Sequence, residues 1–77
     1  MAKKTVNYNG KKYKVDHEDY GITNQVILIN GENSTFHISN DNLDDISSWK
    51  KEVTKAIIEY EVRATAREEF DKWDGKL

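Results

Sequence analysis

The chain has 77 residues, no cysteine, no proline and a formal net charge of −2. A chain of this length forms one domain with a modest core, and without cysteine it has no disulfide, thiolate metal site or cysteine nucleophile. No apolar run follows the basic start, so we expect no signal peptide, and the longest apolar run, residues 26–29, is far below the roughly 20 residues that span a bilayer. We therefore expect a single-domain cytoplasmic protein without a membrane partner.

The charge is divided along the chain. Residues 1–15 carry five lysines and no acid, residues 16–49 carry seven acids and no Lys or Arg, and residues 50–77 balance seven bases against seven acids. A division of this kind affects what a protein surface can bind. It identifies regions of interest without naming a partner.

The first element is a β-hairpin over residues 4–15. Asn9-Gly10 supplies the two residues with positive φ that a type I′ turn requires. The two-residue loop pairs Tyr8 with Lys11. Because side chains alternate along a strand, the apolar side chains share one face, predicted to point to the core: Val6, Tyr8, Tyr13 and Val15.

A second hairpin is predicted over residues 24–39, around a four-residue loop at 30–33. This loop pairs Ile27 with Phe36 and Gln25 with Ile38. The core face then holds Ile27, Ile29, Phe36 and Ile38. Val26 and Leu28 are apolar on the opposite face, which indicates an inner strand or a strand covered by a partner.

A helix is predicted from about residue 42 to residue 73, because residues 44–73 contain no glycine or proline. Asn40, Asp41 or Asn42 can cap its start, and Gly75 marks its end. A stripe at helical spacing is expected to cover the sheet: Ile46, Trp49, Val53, Ala56, Ile57, Tyr60 and Ala64. The fold class is therefore α+β, a four-stranded antiparallel meander of two β-hairpins followed by one long C-terminal helix packed on one sheet face.

This helix is longer than the predicted strands. From Trp49 to Trp73 it spans about 36 Å, whereas strands of five or six residues span about 18 Å. Either the helix breaks near residues 63–65, or its last turns project beyond the sheet. A projecting Phe70 and Trp73 would favour self-association of a structural or assembly subunit.

The sequence gives no indication of catalysis, a cofactor or a metal site. His17 lies among three carboxylates in a segment predicted to be a solvated loop, but the spacing matches no EF-hand or zinc motif. His37 is predicted on the face opposite Phe36. No nucleophile elbow, phosphate-binding glycine loop or carboxylate pair in an apolar setting is present. We expect a protein that is not an enzyme.

Nucleic-acid binding by a homodimer is one alternative. Lys11, Lys12 and Lys14 lie in a hairpin that also carries Tyr8 and Tyr13, and such a surface could track phosphates and stack bases. Alternation places the tyrosines on the face opposite Lys12 and Lys14, however. A solvated lysine face that discourages edge pairing is the simpler interpretation.

Protein binding is the leading interpretation, and topology makes the acidic segment informative. In a meander, the ends of the second and fourth strands lie at the same end of the sheet. Six of the seven acids are therefore predicted to cluster at one acidic pole, although those near the helix start also suit its dipole. The predicted pole comprises Asp16, Glu18, Asp19, Asp41, Asp44 and Asp45.

The segments 22–29 and 33–39, followed by an acidic helix start, resemble the hairpin-to-helix part of small phage anti-CRISPR inhibitors of Cas9. The resemblance covers less than half of the chain. It implies an acidic surface that occupies a nucleic-acid-binding site of another protein. We therefore expect a small non-enzymatic protein-binding module, such as a phage or mobile-element accessory or inhibitor protein, acting on a basic partner.

Overall fold

The computed structural model describes residues 3–19, 24–34, 38–39 and 43–77. It contains an antiparallel sheet and one C-terminal helix, which confirms the predicted α+β meander. The strands follow the order β1-β2-β3-β4, and β5 pairs with β3 beside β4. The elements are β1 (Lys4–Tyr8), β2 (Lys11–Asp19), β3 (Asn24–Ile29), β4 (Glu32–Asn33), β5 (Ile38–Ser39) and α1 (Ile46–Lys72).

The first hairpin has the predicted register. Tyr8 pairs with Lys11 and Val6 pairs with Tyr13 across a two-residue turn. Asn9 and Gly10 have φ values of 51° and 78°, as a type I′ turn requires. The Asn-Gly dipeptide therefore fixes which side chains of β1 and β2 face the core.

Strand β2 continues to Asp19, four residues beyond the end of the predicted hairpin strand. Its second half pairs with β3, with His17 opposite Ile27 and Asp19 opposite Gln25. The prediction that His17 lies in a solvated loop is therefore wrong. Strand β3 has β2 on one side and β4 and β5 on the other, which confirms it as an inner strand.

The turn after β3 differs from the predicted four-residue loop. Ile29 pairs with Glu32, so the loop is only Asn30-Gly31, and both residues have positive φ, 52° and 84°. The predicted pairing of Gln25 with Ile38 is correct, because the register shifts by two residues between β4 and β5. The second Asn-Gly dipeptide forms the same tight turn as the first. Phe36 and its predicted pairing with Ile27 lie outside the described residues.

The core lies between one sheet face and α1. Ile27, Ile29, Ala56 and Ile57 are fully buried there. Apolar side chains of β2, β5 and the segment before α1 complete the cluster: Tyr13, Val15, Ile38 and Leu43. Partly buried side chains pack around it: Val6, Tyr8, Trp49, Val53 and Tyr60. The other sheet face, away from α1, is called the outer sheet face below.

Helix α1 begins at Ile46, later than predicted, because Asp45 is its N-cap. The Asp45 carboxylate accepts a hydrogen bond from the Ser48 backbone N–H at 2.8 Å, which satisfies one of the free donors of the first turn. Ile46 was predicted to face the sheet, but it is 65% exposed. It precedes the first core-packed helical residue, Trp49, by almost one turn. The predicted caps, residues 40–42, lie outside the described part of the chain.

The helix is continuous through residues 63–65, so the predicted alternative of a projecting helix is the correct one. Arg63 donates a hydrogen bond to the Asn33 carbonyl oxygen at 2.8 Å, and Arg67 lies 3.4 Å from Glu32. Every residue after Ala64 is exposed. The Cα radius of gyration is 14.4 Å, against about 11.5 Å for a compact domain of this length.

Two polar contacts join the middle of α1 to the sheet. The Tyr13 hydroxyl donates to Glu61 Oε2 at 2.7 Å, and Asn30 Nδ2 donates to the Tyr60 hydroxyl at 3.2 Å. Asn30 also bonds to Lys14 of β2, with its backbone N–H at 2.8 Å from the Lys14 carbonyl oxygen and its Oδ1 at 3.0 Å from the Lys14 N–H. One turn residue therefore connects β2, β3 and the helix.

We expect Ile57→Ala to lower the free energy of unfolding by about 2–5 kcal/mol, because it leaves a cavity in the centre of the core. Ile58 is the matched control, since it is the adjacent isoleucine but is 45% exposed. Ile58→Ala should change stability by less than about 0.5 kcal/mol. Urea denaturation of both variants measures the difference, and equal losses would contradict the assignment of the core face.

Titration of Tyr13 provides a second test. The hydrogen bond to Glu61, together with burial, raises the pKa of Tyr13 to about 12. The folded state therefore holds this proton more tightly than the unfolded state, and the stabilisation is present below about pH 10 and lost as the pH rises towards 12. In a titration of phenolate absorbance, one tyrosine should ionise late, and Glu61→Gln should make it ionise earlier. Simultaneous ionisation of all tyrosines near pH 10 would contradict the contact.

Candidate protein-binding surface

The predicted acidic pole is divided between two layers of the structure. Alternation along β2 places Asp16 and Glu18 on the outer sheet face, because Tyr13 and Val15 face the helix. Asp16 and Glu18 line a shallow depression together with Lys3 and Lys14. This part of the predicted pole therefore has mixed charge.

The other acids lie at the end of β2 and at the start of α1. Asp19 ends β2, and Asp44 and Asp45 immediately precede the helix; all three are exposed. Asp45 is engaged in capping. None of the ion pairs formed between described residues involves Asp16, Glu18, Asp19 or Asp44. Asp41 lies outside the described residues.

The predicted lysine surface is also divided. Lys12 and Lys14 alternate to the outer sheet face, whereas Lys11 lies beside the helix, with its Nζ 3.7 Å from Glu61. Tyr13 is buried in the core and its hydroxyl bonds to Glu61. The lysines and this aromatic ring therefore do not form one surface of the kind that stacks bases between phosphate contacts.

His17 packs against the first turn of the helix. Its ring centroid lies 5.0 Å from that of Trp49, and its Nδ1 is buried without a hydrogen-bond partner. The neighbouring Asp16 and Glu18 point to the opposite side of the sheet. Accordingly, no group of three or more metal-ligating side chains occurs within the described ranges.

An exposed apolar stripe runs along the outward face of α1. Ile58, Val62, Phe70 and Trp73 are between 45% and 66% exposed. With the small exposed Ala66, they follow one another at intervals of four, four, four and three residues. At 3.6 residues per turn, their mean direction is about 140° from that of the core-facing residues. This set is called the outer stripe below.

The outer stripe ends in an ordered aromatic pair. The rings of Phe70 and Trp73 are 6.0 Å apart, and Trp73 Nε1 donates to the Lys76 carbonyl oxygen at 2.8 Å. The prediction that a projecting helix exposes both aromatics is therefore correct. Exposed apolar side chains arranged along one helix face are typical of surfaces that bind another protein.

Two lysines, Lys51 and Lys55, occupy the same outward face before the outer stripe begins. Lys50, Lys51 and Lys55 line a shallow surface region with Ser47 and Thr54. Lys55 also lies 3.5 Å from Glu52, while its side chain stays 68% exposed. The outward face of α1 therefore changes from basic to apolar along the helix.

Sequence reasoning identified Phe70 and Trp73 but missed Ile58 and Val62. The signal was present, since both continue the aromatic pair backwards at helical spacing. It was obscured because this second apolar row overlaps in sequence with the first row, which covers the sheet. Apolar residues on two opposite faces are typical of a helix that is buried on both sides.

The comparisons with known proteins identify no relative. No protein-family model matches the sequence, and neither the curated proteins nor the solved structures contain a significant match. Of the helical residues described, none belong to a helix that is both long and apolar enough to cross a membrane. Any functional conclusion therefore depends on the surfaces of this chain.

The cap at the helix start predicts a pH dependence. The hydrogen bond from the Ser48 N–H lowers the pKa of Asp45 below its ordinary value of 3.8. Its stabilising contribution is therefore present above about pH 4 and is lost as the pH falls through the lowered pKa. Thermal unfolding followed by circular dichroism should show a steeper loss at low pH for the wild type than for Asp45→Asn, since asparagine can cap but does not titrate.

Asp44→Asn is the control for this pH dependence, because Asp44 makes no described hydrogen bond. It should keep the wild-type profile. An equal change in the Asp44→Asn and Asp45→Asn profiles would contradict the role of Asp45 as the cap.

Proposed function

We propose that this chain is a small, non-enzymatic protein-binding module of the cytoplasm that uses the outward face of α1. The observation that supports it is the outer stripe, from Ile58 to Trp73, which is exposed on a continuous helix whose opposite face is packed on the sheet. Burying such a row against a partner removes apolar surface from water, at about 25 cal/mol per Å². None of the large exposed apolar side chains belongs to a described strand. The described part of the sheet therefore exposes no comparable apolar row.

The helix presents this surface without rearrangement. Its position is fixed by the contacts of Tyr13 and Asn30 with its middle and by Arg63 and Arg67 near the β3–β4 turn. A binding surface that is already ordered costs less conformational entropy on binding. An ordered helix face of this kind is suited to packing against a helix of a partner or into a groove on its surface.

A second candidate surface is acidic. Asp19 and Asp44 are exposed and free of described ion pairs, and they belong to the predicted acidic pole. Exposed carboxylates without an ion-pair partner can bind a basic surface of another protein. An inhibitor of a nucleic-acid-binding protein would use its acidic groups in this way. This candidate would act through long-range charge, so its binding should weaken as salt increases.

In-cell photo-crosslinking tests both surfaces. A photoreactive amino acid is placed at Val62 and at Phe70 for the helix face, at Asp44 for the acidic surface, and at Asn7 on the outer sheet face as a matched exposed control. We expect covalent protein adducts from Val62 and Phe70, in cells that carry the gene, and none from Asn7. The adducts should disappear when Trp73→Glu is added.

Adducts from Asp44 alone, lost in high-salt lysates, would assign binding to the acidic surface instead. Adducts of equal yield from all four positions, or from none, would overturn the proposal. Circular dichroism and thermal unfolding of each variant verify that the fold is retained.

A further inference from the structure

The outward face of α1 contains a row of residues that is chemically complementary to the same row running in the opposite direction. Val62 lies at its centre. Four positions before and after it are Ile58 and Ala66, seven before and after are Lys55 and Glu69, and eleven before and after are Lys51 and Trp73. All are exposed.

These positions lie in one sector of the helix. With 100° per residue, they fall within about 80° of the circumference, on the side opposite the sheet. Their intervals are four, three and four on each side of Val62, which is an 11-residue repeat. A row with this repeat stays on one face of a nearly straight helix over about 33 Å.

We infer that the partner of this face is a second copy of the chain, bound antiparallel with Val62 on the two-fold axis. This rests on the proposed function, because it names the occupant of the same surface. A two-fold interface requires that if residue i contacts residue j of the partner, then j contacts i. The row satisfies this requirement with a different favourable contact at every distance from the axis.

The contacts are chemically specific. Ile58 meets the small Ala66 of the second copy, so large and small side chains alternate across the interface. Lys55 meets Glu69, and Lys51 meets the ring of Trp73, where an ammonium group and an indole attract each other. Each of these contacts occurs twice.

The parallel arrangement is disfavoured by the same residues. In a parallel pair in register, Lys51, Lys55 and Glu69 would each face their own copies, which places like charges together. In the antiparallel pair, opposite charges meet, and the two sheets remain on the outer sides of the helix pair. The charge pairs therefore select orientation and register more than they add affinity.

A pair of single helices buries less than a standard protein interface. We therefore expect a dimer that dissociates at concentrations on the order of micromolar. Sedimentation velocity over a concentration series should show this equilibrium. Lys55→Glu and Glu69→Lys should each raise the dissociation constant about tenfold, and the double variant should restore it, because the pair is then re-formed with reversed sign.

Single cysteines test the register, because the chain has none of its own. Under mild oxidation, Val62→Cys should form a disulfide-linked dimer, since the two copies meet on the axis. Ile58→Cys alone should not, whereas a mixture of the Ile58→Cys and Ala66→Cys chains should form the mixed dimer. Circular dichroism of each reduced chain verifies the fold.

The outcomes separate this inference from the proposed function. A monomer at all concentrations overturns the inference, and adducts from Val62 to a different protein would then leave the proposed function standing. A dimer in which Ile58→Cys crosslinks to itself as efficiently as Val62→Cys overturns the antiparallel arrangement. Failure of the double charge reversal to restore association overturns the contact between Lys55 and Glu69.

Discussion

The structure depends on a mismatch in length between its helix and its sheet. Helix α1 has 27 residues, about 40 Å, and no glycine or proline interrupts it. The inner strand β3 has only six residues, about 20 Å. A helix without a breaking residue does not fold back, so its last turns extend into solvent with whatever side chains they carry.

The same helix is held firmly where it does meet the sheet. Asn30 tolerates positive φ at the tight turn after β3, and it bonds to both Lys14 and Tyr60. Tyr13 connects β2 to Glu61. Because these contacts fix the rotation of α1 about its axis, they also fix the direction in which Val62 and Trp73 point. The outward face is thus a consequence of how the inward face packs.

Local signals in the sequence were sufficient for much of this fold. Asn9-Gly10 determined the first hairpin and its register, and the apolar spacing from Trp49 to Tyr60 determined the core face of the helix. The loop after β3 was mispredicted because a four-residue loop was preferred in order to pair Phe36 with Ile27, whereas the register changes between β4 and β5. Hydrophobic patterning cannot reveal such a shift when both registers place the same residues inside.

The candidate surface was harder to predict for a different reason. Meander topology grouped Asp16 with Asp44 at one end of the sheet, but strand alternation and the position of the helix start place them in different layers of the fold. Within residues 50–77, which are neutral as a block, the helical repeat brings Lys51, Lys55 and Glu69 onto one face. The sequence period of each element, and not the charge of a segment, decides which charges share a surface.

The order of residues on this outward face, and not only their exposure, bears on the identity of the partner, because a symmetric pair restricts which residues meet. A partner of a different kind would require only that its own surface complement Ile58, Val62 and Trp73, and would place no condition on how Lys55 relates to Glu69. A second copy imposes that condition, since every contact must serve in both directions. Basic residues before an apolar centre, with an acid and an aromatic after it at matching distances, meet this condition with the residues of one helix. The order of residues along α1 is therefore the observation that favours self-recognition over a general hydrophobic surface.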